Sequence, residues 1–205
     1  MRRSAVPVWL KIAYTLWLAI WIWVYWHSYG PQNFLWLCDV ANLVLGLAIW
    51  LESPLLFSSQ AVGVLIIQAL WIIDFCSRLL VGVHPIGGTE YMFDPEKSTA
   101  LRSLSLFHVF VPALLLWVIW RLGYDRRGWR LQTAILWVLL PVTYLVTEPE
   151  LNINWLWRPF GIPQTAMPEL VYLAVEMVAV PLVLYLPTHA ALAWWTRKRA
   201  AATPS

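Results

Sequence analysis

Asp39, Asp74, Arg78, His108 and Glu176 are ionisable side chains set inside long apolar runs. Such a group is costly in an apolar surrounding, so it usually faces the interior of a helix bundle and marks a site. Asp39 directly follows Cys38, in Leu37-Cys38-Asp39. A thiol is a weak nucleophile at its free pKa of about 8.5; a histidine within hydrogen-bond reach would draw off its proton, and a carboxylate would orient the imidazole. Cys38, Asp39 and His108 carry the groups that such catalysis would need. Neighbouring residues lie about 100° apart around a helix, so Cys38 and Asp39 need not share a pocket.

Each residue also has a plain structural reading. Asp74 and Arg78 are spaced i, i+4, which suits an ion pair within one helix. Asn42, one turn from Cys38, could be helix–helix glue, and His108 a packed, hydrogen-bonded group. Glu176 could serve only as a hydrogen-bond partner for a neighbouring helix. The segment Thr147–Leu156 holds Glu148, Asn152 and Asn154, which could bind a polar head group or a cation, or could form a capped connector. Asn33 opens the segment leading into Cys38 and joins Asn42, Asp74, Arg78, Glu148, Asn152, Asn154 and Glu176 as a candidate pocket residue. The pair Gly87-Gly88 permits a tight turn that could fold His84 over a pocket mouth, although an ordinary exposed loop histidine is the plainer reading. His27 and His189 sit near the ends of apolar runs. With the histidines scattered and no HxxxH spacing, no metal or other cofactor is predicted. Cys38 and Cys76 form no CxxC, and a disulfide between them has no support in their spacing.

The elements that must position these groups follow from composition. The chain has 205 residues, of which 60% are hydrophobic and 12% charged. A water-soluble globule, nearer about 45 to 50% and 25%, is excluded. About 20 apolar residues cross a bilayer, so this length accommodates six spans in a single domain over residues 1–205. Apolar runs predict helices at about 6–26, 34–51, 55–82, 101–120, 129–147 and 168–195. The first run contains Lys11 and lacks a cleavage site, so it is expected to be retained. Gly30-Pro31, Ser53-Pro54, Gly87-Gly88 and Gly161 with Pro163 punctuate the loops. Tryptophans such as Trp26, Trp50, Trp71, Trp120, Trp129 and Trp194 fit an interfacial belt.

Alternating spans collect Arg2, Arg3, Lys11, Arg121, Arg126, Arg127, Arg130, Arg197, Lys198 and Arg199 on one side. The positive-inside rule then makes both termini cytoplasmic and the 83–100 and 148–167 loops external. The expected fold class is an all-α polytopic membrane protein, a six-transmembrane-helix bundle of a cell inner membrane. The formal charge of +3 is explained by orientation, so no nucleic acid is expected; membrane lipid is the expected partner, with a homo-oligomer or a membrane complex open. At 1.5 Å per residue, Asp39 lies roughly 8 Å, His108 roughly 10 Å, and Asp74 and Glu176 roughly 12 Å below the outer end of their spans. One outward-facing polar pocket is inferred, with the inner half free of polar groups.

The motifs Leu37-Cys38-Asp39, His108 and Asn152-Ile153-Asn154-Trp155-Leu156 resemble, in order and spacing, the bacterial YwaF-type six-span membrane proteins. These are distantly similar to the androgen-induced and ADTRP-type hydrolases of fatty acid esters of hydroxy fatty acids, and to a transmembrane acyltransferase of ether phospholipids. The resemblance covers about residues 33–187. It implies intramembrane acyl chemistry in which a nucleophile on the second span works with His108 as general base. Where the hydrolases carry a threonine this sequence has Trp36, and Cys38 is the nearest candidate for the acyltransferase's cysteine. Whether the chain is an enzyme stays open. A metal-dependent hydrolase using His108, Asp39, Asp74 and His84 is one alternative. A small transporter or assembly subunit moving protons or cations through Asp39, Asp74 and Glu176 is another.

Overall fold

A computed structural model describes residues 5–202, with side chains as far as residue 199. Arg2 and Arg3 lie outside the described residues. The described chain forms helices with no strand: α1 Val8–Tyr29, α2 Leu37–Leu51, α3 Pro54–Val81, α4 Thr99–Leu104, α5 Phe107–Leu122, α6 Gly128–Val146, α7 Glu169–Val180 and α8 Leu186–Ala202. α1, α3, α4 with α5, α6, and α7 with α8 are long and apolar enough to cross a membrane, and α2 is a shorter apolar helix. Large apolar side chains turn outward along them, including Trp9, Leu16, Trp23, Leu80, Val138, Leu145 and Val183. Such a surface suits lipid and would be untenable in water.

Contacts sort the helix ends onto two faces. At the terminal face, Lys11 of α1 pairs with Glu52 in the α2–α3 turn at 2.7 Å, and the Asp125 N–H of the α5–α6 turn donates to Ser58 Oγ at 2.9 Å. The Arg199 guanidinium of α8 donates to the Trp120 carbonyl there. The longer connectors, residues 82–98 and 147–168, lie at the opposite, loop-bearing face.

α3 runs through the middle of the bundle and packs on α2, α5 and α6. Its approach to α6 depends on a residue without a side chain. A Cβ at Gly128 would stand 2.7 Å from Ser58 Cβ, 2.8 Å from the Ser58 carbonyl carbon and 2.9 Å from the Ser59 nitrogen. Small residues allow this backbone proximity, a common device between membrane helices. Gly128→Val is accordingly expected to cost about 3 kcal/mol, at the upper end for overpacking, because helix backbone must move. A fall in the thermal midpoint of the detergent-purified protein measures it.

Prolines shape the last span. Pro181 has no N–H to offer the Met177 carbonyl four residues earlier, and the chain passes through a π-type turn at Pro181–Tyr185 between α7 and α8. The freed carbonyl accepts a hydrogen bond from Trp137 Nε1 of α6 at 2.8 Å. Trp137→Phe is expected to cost about 1 kcal/mol, the net worth of one such bond, read from the same melting experiment.

The terminal half is not devoid of polar groups, contrary to the sequence expectation. Gln60 of α3, fully buried, donates to Gln132 Oε1 of α6 at 3.3 Å and to Ser59 Oγ at 2.9 Å. Gly63 leaves the room for the Gln132 amide, which would meet a Cβ there at 2.4 Å. A reading built on ionisable residues passes over glutamine.

Candidate functional site at the loop-bearing face

The start of α2 is held by a residue far away in sequence. The Leu37 N–H, one of the donors a helix N-terminus leaves unpaired, gives its hydrogen bond to Asn154 Oδ1 at 2.9 Å. Asn154 Nδ2 in turn donates to the Leu35 carbonyl at 2.8 Å. Asn152 staples its own connector: Oδ1 accepts from Trp157 N and Arg158 N, and Nδ2 donates to the Arg158 carbonyl at 2.8 Å. Both asparagines have left-handed backbone, with φ of 46° and 56°, a conformation asparagine tolerates well. The connector therefore clamps the chain just before Cys38 and Asp39. Asn154→Ala would strand the Leu37 N–H and the Leu35 carbonyl, an expected loss of about 1 to 3 kcal/mol that thermal unfolding would report.

Within this clamp, Cys38 and Asp39 share one environment. Cys38 Sγ lies 3.8 Å from Asp39 Oδ1 as a donor, and Asn33 Nδ2 donates to Asp39 Oδ2 at 2.7 Å. Asp39 is buried, and no cation among the described residues lies within ion-pair distance of it. Its place in the first turn of α2 sets the carboxyl at the positive end of the helix dipole. Both cysteines are free thiols, with Cys76 exposed on the outer surface of α3. A small cavity of about 90 Å³, lined by Tyr29, Gln32, Asn33, Trp36, Leu151 and Ile153, shares Asn33 with this cluster.

His108 is positioned by a break in the predicted 101–120 span. The helix is interrupted at Ser105–Leu106, and His108 Nδ1 lies 2.8 Å from the Ser105 carbonyl. A carbonyl only accepts, so Nδ1 carries a proton, and in the neutral ring the lone pair is then on Nε2, the form of a general base. The imidazole is sandwiched between Trp71 at 4.6 Å and Phe107 at 4.0 Å. The Ser105 hydroxyl is committed elsewhere, to Tyr25 OH of α1 at 2.5 Å.

No hydrogen bond joins His108 to Cys38 or Asp39. Tyr91, in the connector ahead of α4, is linked to the His108 side through Trp71. Its hydroxyl accepts from Trp71 Nε1 at 3.2 Å, and Trp71 stacks on His108. Burial pushes the Tyr91 phenol well above its usual pKa; Ser105 and Trp71 oppose this by hydrogen bonding, and nearby Cys38 and Asp39 add to the upward shift. Tyr91 thus stays a neutral hydroxyl that is hydrogen-bonded to Trp71, the ring stacked on His108, and lies close enough to Cys38 and Asp39 to feel their charge. Sequence alone does not single out Tyr25, Tyr91 or Ser105, because aromatic and serine residues are unremarkable among so many near helix ends, and it assigns Trp71 to the interfacial belt, whereas that ring stacks on His108 and donates to Tyr91.

The remaining candidates fall elsewhere. Asp74 and Arg78 do not pair. The buried Asp74 carboxylate accepts from Ile86 N at 2.8 Å and Gly87 N at 3.0 Å, lies 3.0 Å from His84 Nδ1, and takes the Thr89 hydroxyl. Arg78 turns outward, donating to the Gly82 carbonyl at the end of α3 with its guanidinium 5.6 Å from the Phe93 ring. The ion pair fails because a loop rich in N–H donors outbids one flexible guanidinium. His84 is accordingly a half-buried part of this cage, and the exposed-histidine reading is overturned. Asn42 is helix–helix glue, with its carbonyl and Oδ1 accepting from Tyr14 OH of α1 at 3.1 and 3.4 Å. Glu148 is exposed. Glu176 accepts from Tyr172 OH at 2.7 Å on its own helix, and the same hydroxyl reaches the Trp155 carbonyl at 3.3 Å. The expected single pocket is therefore several separate hydrogen-bonded networks; Cys38 and Asp39 belong to one with Asn33, and His108 to another with Ser105 and Tyr25. Among the described residues no three His, Cys, Asp or Glu side chains are arranged to hold a metal ion, so His108, Asp39, Asp74 and His84 do not converge as ligands.

Fold and site together are those of an all-helical chain suited to multiple membrane crossings, with a buried polar cluster beneath one face. No protein-family model, curated protein or solved structure matches the chain.

Proposed function

We propose that this is a multi-pass inner-membrane enzyme that transfers or hydrolyses acyl groups of lipid esters at its loop-bearing face. The observation that carries the reading is the Cys38 thiol directed at the Asp39 carboxylate at 3.8 Å; His108, whose Nδ1 is held by the Ser105 carbonyl, offers Nε2 as the second base. In the first step Asp39 takes the thiol proton, the sulfur attacks the ester carbonyl, and the departing alcohol takes that proton. In the second, water or an acceptor alcohol gives its proton to His108 Nε2 and attacks the thioester, and the thiolate leaves and is reprotonated by the imidazolium. Asn33 positions Asp39 and Asn154 positions the start of α2. The resemblance to YwaF-type proteins and their acyl-transferring relatives supports the same chemistry. Basic residues gathered at the terminal face support termini in the cytoplasm, which turns the site outward.

The purified protein in lipid nanodiscs, given a fluorogenic long-chain acyl ester, is expected to release acid, and Cys38→Ala to abolish that release. Wild-type rates in Cys38→Ala would sink the thioester mechanism. A second reading, passage of protons or small cations, is favoured by the buried Gln60–Gln132 pair in the opposite half. Proteoliposome flux that disappears in Asp39→Asn, from a protein without esterase activity, would select it.

A further inference from the structure

We propose that the terminal face carries a phosphate-binding site where the α5–α6 turn meets α8, apart from the cluster under the other face. A concavity of about 300 Å³ there is lined by Arg126, Arg127, Trp129, Arg130 and His189. The Arg127 guanidinium is closed off by Asp125, with its Nη2 at 2.7 Å and Nε at 3.1 Å from the carboxylate. Arg126 and Arg130 form no ion pair among the described residues, so two guanidiniums keep their donors for a ligand. Arg130 lies 5.8 Å from the Trp129 ring, which limits its conformational freedom. His189 Nδ1 is engaged by Tyr124 OH at 2.7 Å, leaving Nε2 as the ring atom available to the concavity. The 19-residue helix α6 begins at Gly128, so the positive end of its dipole lies at the same place.

Orientation alone calls for positive charge at a membrane face but not for its convergence with a histidine and an indole on a concave surface. Two unpaired guanidiniums, an imidazole nitrogen and a helix N-terminus suit a tetrahedral anion of more than one charge better than a carboxylate. The rim sits at head-group depth: the Arg199 guanidinium lies 4.2 Å from the Trp120 ring and Lys198 Nζ 4.3 Å from Trp194, pairings typical of the membrane interface. The phosphate therefore comes either from an anionic phospholipid of the adjoining leaflet or from a soluble phosphate ester.

The test uses full-length protein in maltoside micelles. Retention of phosphatidylglycerol against phosphatidylcholine is read by native mass spectrometry, and binding of inorganic phosphate and glycerol 3-phosphate by titration calorimetry. Arg126→Ala with Arg130→Ala is expected to weaken whichever ligand binds by about tenfold or more, the effect of removing two cations at a membrane surface. Arg121→Ala with Arg197→Ala, which removes two charges from the same face outside the concavity, is expected to change it by less than about threefold. Preferential retention of phosphatidylglycerol alone assigns the lipid head group, and saturable binding of inorganic phosphate assigns the soluble source. Equal binding by wild type and the Arg126/Arg130 variant, in every arm, overturns the site. If the alanine pair alters the circular dichroism spectrum, Arg126→Gln with Arg130→Gln replaces it and the same criterion applies.

Discussion

Replacing His108 with Ala is expected to lower turnover of a lipid acyl ester by about 10²- to 10⁴-fold, the usual contribution of a positioned general base. The loss should fall mainly on kcat, because the imidazole acts on the attacking water or alcohol and the chain's apolar walls hold the lipid. His108→Gln separates chemistry from packing. It keeps an amide able to donate to the Ser105 carbonyl while supplying no basic nitrogen, so it should melt close to wild type and be nearly as inactive as alanine. Since the Cys38–Asp39 pair is untouched in either variant, the first half-reaction should proceed and the acylated enzyme accumulate. Steady-state rates together with a single-turnover burst measure both effects.

Asp74→Ala should be the most destabilising change at the loop-bearing face. It leaves the Ile86 and Gly87 N–H groups, the Thr89 hydroxyl and the His84 ring without their common acceptor, around a carboxylate that is itself fully buried. Breaking a buried charged network of this kind costs about 3 to 5 kcal/mol. Asp74→Asn keeps one carbonyl oxygen for the two N–H groups and should lose about half as much. Hydrogen exchange at Ile86 and Gly87 localises the damage: both amides should lose protection in Asp74→Ala, while those in the middle of α6 should keep theirs.

The spans were legible because a bilayer makes apolar length the governing signal. The predicted 55–82 and 129–147 segments coincide with α3 and α6 to within one residue at each end. The break between α4 and α5 was hidden, since apolar residues continue through Leu104 and Leu106; the tertiary bond from Ser105 to Tyr25 accompanies it and pattern does not encode it. At the site, Cys38, Asp39 and His108 stood out because reactive groups are rare in apolar runs. What sequence could not give was partnership. The spacing of Asp74 and Arg78 suits an ion pair, yet the carboxylate is taken by a loop ten to fifteen residues downstream. Adjacent residues on a helix diverge at the backbone, yet Cys38 Sγ and Asp39 Oδ1 come within 3.8 Å of each other. The sequence of Asn152 and Asn154 suits either head-group binding or connector capping, and their hydrogen bonds are those of a cap, in one case for a helix over a hundred residues away.

The thioester on Cys38 is the most direct test. Protein incubated with a long-chain acyl ester, quenched in acid and digested, is examined by mass spectrometry for the acylated peptide spanning Cys38. The adduct is expected to be transient in wild type, to build up in His108→Ala, to be cleaved by neutral hydroxylamine and to be absent in Cys38→Ala. Ester turnover by wild type with no adduct on Cys38 in either wild type or His108→Ala would contradict the assignment.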